Sequence, residues 1–394
     1  MDRRIDTSAE LGGIDPDDIR ICLDGAEGAP HVEDVTPPIA QAAIFPRRTF
    51  RGLLDALSAE HRNAVYTRGQ NPTVEAVERQ IAALERGEVC KCFGSGMAAI
   101  HGAFFGLLEA GDHVLFVNQI YGPALQLAQH LERFGITHDV ILDLDPAAAE
   151  RALRPSTRLI WFENPGTMTF RTLDVAALAA LGRDRGIWTA IDNSWATPLF
   201  HKPLTLGVDL VMHAASKYIG GHSDVIAGAL VGSAELMERI FYHAFLLAGG
   251  ILHPFDAWLL GRGLKTLPTR MRQHQADGLA VARFLASHPK VARVHHPGLG
   301  GTLPPDLLGT SGLFAFELES ADFASVERLI DGLERFRIAV SWGGTESLVI
   351  SPNRGDNGDA LRQQGISPGL VRLSVGLEGA EALRWDLERA LEGV

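Results

Sequence analysis

Lys217 closes the apolar run VDLVMHAA and opens SKYIGGHSD, so a primary amine stands where an apolar strand runs into a Gly-Gly turn. An amine at the inner end of a buried strand loses hydration, its pKa falls, and the neutral form is free to condense with an aldehyde. A second chemical group closes a neighbouring apolar segment: IWTAID delivers Asp192, followed by NSWATP. A carboxylate there can keep a pyridine nitrogen protonated and turn the ring into an electron sink, so the aldehyde implied is that of pyridoxal phosphate (PLP). Each residue alone has a plainer reading, because most lysines are solvated and an Asp at a strand end often caps the following turn. The pair carries more weight because the rest of the chain supplies what such a site needs.

The first of these parts is FGSGMAAIHGAFFGLL, which sets Gly94, Ser95, Gly96 and Met97 at the start of a helix. Free N–H groups and the helix dipole attract a phosphate there. GSGMAA also fits the dinucleotide pattern G-x-G-x-x-A. That reading needs an acid at the end of the next strand, whereas DHVLFVN ends on Asn118 and carries Asp112 at its opposite end. It also leaves Lys217 and Asp192 unexplained, so the phosphate of PLP is the favoured ligand. Tyr121 opens the next helix at the carboxyl edge, where its ring can stack on a pyridine or simply be a half-buried interfacial aromatic. Ser216 can donate to the phosphate or be a turn hydroxyl. Arg372, in GLVRLSVGLE, lies among apolar neighbours and needs an anion. With the Ser341-Trp342-Gly343-Gly344 turn it can meet a substrate carboxylate bidentately, the alternative being an ordinary intramolecular ion pair.

These residues require a large scaffold. The chain has 394 residues, 46% of them hydrophobic, and a formal charge of −12, which allows a sizeable core and two domains. The acidic balance and the lack of basic blocks argue against nucleic acid or an anionic membrane as partner. Neither a transmembrane-length apolar run nor a signal-peptide core is visible, which reads as cytoplasmic. Cys22, Cys90 and Cys92 fit buried free thiols rather than a disulfide framework, and no second Cys or His cluster completes a metal site. Residues 1–60 read as an N-terminal arm. Over 61–250, strand-like DHVLFVN, HDVILDL, RLIWFEN, WTAID and LVMHAAS alternate with helical segments, which predicts a mostly parallel sheet covered on both faces. Over 251–394 a long helical stretch leads to short strands in VARVHH, GLFAFELE and LVRLSVG, which predicts a smaller α+β domain, with a loop at SPNRGDNGDALRQQGISPG.

The ordered set YTRGQNPT, GSGMAA, DNSWATP, SKYIGGHSD, SWGGTESL and VRLSVGLE resembles the Cys/Met-metabolism PLP enzymes of trans-sulfuration, fold type I, over almost the whole chain. The SWGGTESL turn and SGLFAFEL look most like bacterial cystathionine β-lyases. The resemblance implies that Lys217 carries the cofactor, Asp192 pairs its ring nitrogen, Tyr121 stacks, and Gly96, Met97 and Ser216 hold the phosphate. It further implies that Tyr66 and Arg68 reach the phosphate of a neighbouring subunit in a homo-oligomer, a tetramer of catalytic dimers, and that Ser341, Trp342 and Arg372 serve a small sulfur amino acid. Three positions depart from those β-lyases: Gly69 in place of a second Arg, Gln126 in place of an acid, and Val340 in place of a Tyr. YTRGQNPT itself is closer to the γ-synthases and γ-lyases, so a γ-class activity is the alternative.

Overall fold

In the computed structural model, described for residues 13–26, 35–300 and 303–394, seven strands form one sheet: β1 (Val89–Phe93), β2 (His113–Val117), β3 (Thr137–Ile141), β4 (Thr157–Glu163), β5 (Trp188–Asp192), β6 (Leu210–His213) and β7 (Gly228–Gly232). Their order is β1-β7-β6-β5-β4-β2-β3, with β7 antiparallel to both neighbours and every other pairing parallel. This is the mostly parallel sheet expected from the alternating segments, and it agrees with the fold type I arrangement that the resemblance implies. Side chains alternate between the two faces while both faces stay apolar. Leu115, Val117, Ile160, Phe162, Ile191 and Val211 pack into one core. Val114, Phe116, Leu159, Trp161, Ala190, Leu210 and Met212 pack into the other.

The connecting helices start where short polar caps and prolines stop extended backbone. Helix Pro72–Glu85 begins on Asn71, whose side chain accepts the Thr73 N–H, and has Pro in its first turn. Asp145 and Asp174 cap Pro146–Ala152 and Val175–Arg185 in the same way. The chain leaves β2 toward β3 on one side and then crosses to β4 on the other, so the sheet order reverses between β2 and β4. A crevice opens at the carboxyl ends of strands beside such a reversal.

β1 and β7 are absent from the sequence reading. VCKCF carries Lys91 inside an otherwise apolar run, and GALVG is too glycine-rich to read as a strand. Lys91 is buried because its ammonium donates to Glu78 at 2.9 Å and to Gln70 at 3.1 Å. Cys22, Cys90 and Cys92 are buried free thiols, as expected.

The second sheet joins β8 (Val291–His295), β9 (Leu313–Leu318), β10 (Arg337–Ile338), β11 (Leu348–Ile350) and β12 (Leu370–Ser374) in the order β10-β11-β12-β9-β8. It follows the helix Pro254–Ala286, a single 33-residue rod with Pro268 inside it. Helices Phe323–Gly332 and Ala380–Glu392 cover this sheet over a core of Phe314, Phe316, Val371 and Leu373. The segment expected as a loop contains a short helix, Gly358–Gln363. Residues 1–12 and 27–34 of the expected arm lie outside the described residues. Its helix Pro16–Asp24 places Ile21 and Cys22 in the first core. Among the described residues no helix is long and apolar enough to cross a membrane.

Candidate active site

Asp192 is the last residue of β5, aligned with Glu163 at the end of β4 and with Met212 of β6. Two residues later Ser194 joins two segments. Its N–H donates to Asp192 Oδ1 at 2.9 Å, and its hydroxyl oxygen accepts the Ala214 N–H at 2.6 Å. Ala214 begins the short run from β6 to Lys217, which the Lys217 N–H to Ala214 carbonyl bond (3.0 Å) and the Gly221 N–H to Lys217 carbonyl bond (2.7 Å) fold into a tight turn. The apolar strand ends, the turn begins, and the lysine is left at the crevice.

The Lys217 amine donates to the Ser341 hydroxyl and lies 5.3 Å from the centre of the Trp342 ring. Its pKa falls from 10.5 to about 8, through burial first and the nearby Arg372 charge second, with Asp192 opposing both. Burial pushes the Asp192 carboxyl above its usual range, against the Ser194 hydrogen bonds and the charges of His213 and Lys217. The pair thus combines a weakly basic amine with a carboxyl in a low-dielectric setting.

The second sheet supplies the other wall. Ser341 and Gly343 both adopt left-handed backbone, at φ +80° and +85°. Gly343 lies against the Lys217 backbone so closely that a Cβ there would come within 2.9 Å of the Tyr218 nitrogen and 3.2 Å of Lys217 Cα. Arg372, on β12, donates to the Ser341 carbonyl at 3.2 Å. Burial lowers its pKa to about 10, with Tyr121 acting in the opposite sense. Among the described residues Arg372 has no carboxylate within ion-pair distance, so the ordinary intramolecular ion pair left open above is not what the fold contains.

The helix Gly96–Leu107 points its N-terminus at the same crevice. Ser95 caps it by accepting the Ala98 N–H at 3.0 Å, and the Gly96 and Met97 N–H groups lie in the turn that has no intrahelical acceptor. A Cβ on Gly96 would stand 3.2 Å from Ala214 Cβ, so glycine lets this helix end approach the Lys217 turn. The Ser216 hydroxyl donates to the Ala227 carbonyl at 3.0 Å and accepts the Ala227 N–H at 2.8 Å. Two free N–H groups at a helix dipole, an adjacent hydroxyl, a depressed lysine and a strand-end carboxyl are the donor set that a phosphorylated pyridine aldehyde requires, and the residues fit that group.

Tyr121 is about half exposed (46%), and its N–H donates to Glu163 Oε1 at 2.6 Å. The fold thus brings Lys217, Asp192, Tyr121, Ser341, Trp342 and Arg372 together, with Gly96, Met97 and Ser216 around the helix end. Tyr66 and Arg68 stand apart: both are exposed, the guanidinium lies 5.5 Å over the Tyr66 ring, and among the described residues neither bonds to Lys217 or Asp192. The sequence reading missed Glu163, Ser194 and the closeness of Gly343 to Lys217. Glu163 had a signal available, since RLIWFE ends an apolar strand on an acid just as IWTAID does.

A partly buried amine in the turn after a strand, a strand-end carboxyl and a helix N-terminus at the reversal of a mostly parallel sheet fit the fold type I class of PLP-dependent enzyme. More narrowly, the chain belongs to the Cys/Met metabolism PLP-dependent enzyme family, whose model matches residues 22–392. It is 37% identical over 379 residues to an L-methionine gamma-lyase of Pseudomonas putida, covering 93% of this chain and 95% of that protein. It is 36% identical to the cystathionine beta-lyase MetC of Bacillus subtilis, with 94% of each chain covered. It is 37% identical to a cystathionine gamma-synthase of Mycobacterium bovis, with 93% of each covered. The relatives include β-lyase, γ-lyase and γ-synthase alike.

Proposed function

We propose that this protein is a carbon–sulfur lyase that carries out α,β-elimination on L-cystathionine or a related cysteine thioether, releasing a thiol, pyruvate and ammonia. The observation that carries this reading is the Lys217 amine, its pKa lowered to about 8, hydrogen-bonded to Ser341 and flanked by Arg372 and Asp192. Bound PLP supplies an electron sink for the pair left on Cα when its proton departs. Lys217 would hold the cofactor and would take the Cα proton as general base. Asp192 would keep a proton at the ring nitrogen, and the Gly96 and Met97 N–H groups would hold the phosphate beside the Ser216 hydroxyl. Tyr121 would cover a face of the ring. Arg372, which meets no acid among the described residues, takes the substrate carboxylate beside Ser341. As the Cβ–S bond breaks, sulfur keeps the bonding pair and receives a proton from Lys217 or Tyr121. The three-carbon fragment hydrolyses to pyruvate and ammonia, and cystathionine yields homocysteine as the thiol.

Trp342, packed against Tyr218 with ring centres 5.5 Å apart, walls the amine, and the resemblance of its SWGGTESL turn to cystathionine β-lyases supports the β-lyase reading. The same base and carboxylate clamp serve γ-elimination, and the 37% identity to a methionine γ-lyase favours that as the second reading.

The reading divides the chain into an arm (1–60), a PLP-binding domain (61–250) and a C-terminal domain (251–394). It also makes the working unit a homo-oligomer, a tetramer of catalytic dimers, in which Tyr66 and Arg68 complete the phosphate site of a second copy. An apolar helix face supports that assembly: in Phe50–Leu57 only Ala56 is buried, while Phe50, Leu54 and Leu57 are exposed at helical spacing. The test is a product screen with cystathionine, S-alkylcysteines, methionine and O-acylhomoserines. Pyruvate from cystathionine is expected. 2-Oxobutyrate as the main product, or synthesis from an O-acylhomoserine without pyruvate, overturns the β-lyase reading in favour of the γ-class.

A further inference from the structure

Glu163 takes no part in the chemistry above, yet it lies against two groups that do. Register pairs it directly with Asp192 on the adjacent parallel strand, so both side chains leave the sheet on the same face at its carboxyl edge. It is only 8% exposed, and its Oε1 accepts the Tyr121 N–H at 2.6 Å. The Asn118 side chain, immediately after β2, fastens the same stretch by donating to the Glu163 carbonyl at 3.1 Å.

We propose that Glu163 is a positioning residue of this site: its carboxyl clamps the backbone at Tyr121, and it stays neutral while Asp192 carries the charge. The inference rests on the PLP reading given above.

Two adjacent carboxyls in a water-poor crevice do not both ionise unless cations compensate them. The ionisable groups around the pair favour Asp192 as the charged member. Asp192 accepts the Ser194 N–H at 2.9 Å, and that hydrogen bond, with Lys217 nearby, favours its charged form. Glu163 feels Asp192 as a like charge, and burial pushes its carboxyl far up, against the N–H groups of Tyr121 and Thr167. Tyr121 feels both carboxyls and, in the opposite sense, Arg372, and its hydroxyl is raised, with burial the largest cause. An uncharged Glu163 therefore keeps its acceptor oxygen on the Tyr121 backbone without adding a second negative charge under the cofactor.

The experiment compares PLP-loaded wild type with Glu163→Gln and Glu163→Ala, reading PLP dissociation and the pH titration of the bound cofactor's absorbance. Glu163→Gln keeps an acceptor oxygen and no charge, so PLP affinity and the titration midpoint are expected to stay at wild-type values. Glu163→Ala loses the clamp, and PLP is expected to bind roughly five- to tenfold more weakly, the worth of one lost hydrogen bond. Wild-type affinity in Glu163→Ala overturns the clamp. A midpoint displaced by about one unit or more in Glu163→Gln shows a charged Glu163 and overturns the neutral assignment. Wild-type protein that takes up no PLP overturns the underlying function, a result distinct from the other two.

Discussion

The lowered pKa of Lys217 makes a kinetic prediction in the cofactor-free protein. Capture of PLP requires the neutral amine, and with a pKa of about 8 roughly one molecule in ten is ready at pH 7, against roughly one in three thousand for an unperturbed lysine. Between pH 7 and pH 9 the capture rate should therefore rise about tenfold and level off, whereas an unperturbed amine would give about a hundredfold rise that continues beyond pH 10. Stopped-flow absorbance after mixing apo-protein with PLP across this range reads the midpoint. Arg372→Met removes the second cause of the shift and should move the midpoint up, while Asp192→Asn removes the opposing influence and should move it down. The stability consequence has a definite sign. The folded pKa lies below the unfolded one, so the unfolded chain binds the extra proton between about 8 and 10.5, and folding stability rises with pH across that window. At pH 7 the protonated lysine costs the apo-protein about 2–3 kcal/mol, and Lys217→Met should recover much of that in urea unfolding. A capture rate still climbing a hundredfold from pH 7 to 9, with no plateau and no response to Arg372→Met, would refute the reasoning.

Three further outcomes follow from the same geometry. Gly343→Ala combines left-handed backbone with contacts to the Lys217 and Tyr218 main chain, so it should lower stability by about 2–4 kcal/mol in denaturant titration and depress kcat as the Ser341 turn lifts off. Inactive Arg68→Ala and Lys217→Ala subunits, mixed under conditions that exchange chains, should regain activity in hybrids, and hybrids that form yet stay inactive argue against a shared phosphate site. Val340 is 73% exposed. Val340→Tyr should lower KM for cystathionine about tenfold while leaving thioethers without a distal amine unchanged, as expected for one restored contact made equally in ground and transition states.

Much of this site was legible because its chemistry falls on punctuation. Lys217 and Asp192 end apolar runs, and Gly96 opens a helix, so strand ends and a glycine-rich turn already marked the carboxyl edge of a parallel sheet. The parallel strands read clearly since both their faces are apolar. β1 stayed hidden because Lys91 interrupts it, and only the buried Glu78 partner, 13 residues away, explains that charge. β7 stayed hidden because packing, not propensity, makes GALVG a strand. Glu163 closes an apolar run and so left a sign in the sequence, but its register with Asp192 and the contact of Gly343 with the distant Lys217 segment are not displayed by a single sequence. Arg372 was read with an ion pair as its alternative, and only the fold revealed that no acid meets it among the described residues.

Lys217 is the residue on which the proposed chemistry depends, and borohydride reduction of the PLP-loaded protein followed by peptide mapping tests that role most directly. The label is expected on Lys217 alone, with Lys217→Ala unlabelled and inactive. A label on any other lysine, or full turnover in Lys217→Ala, would contradict the account.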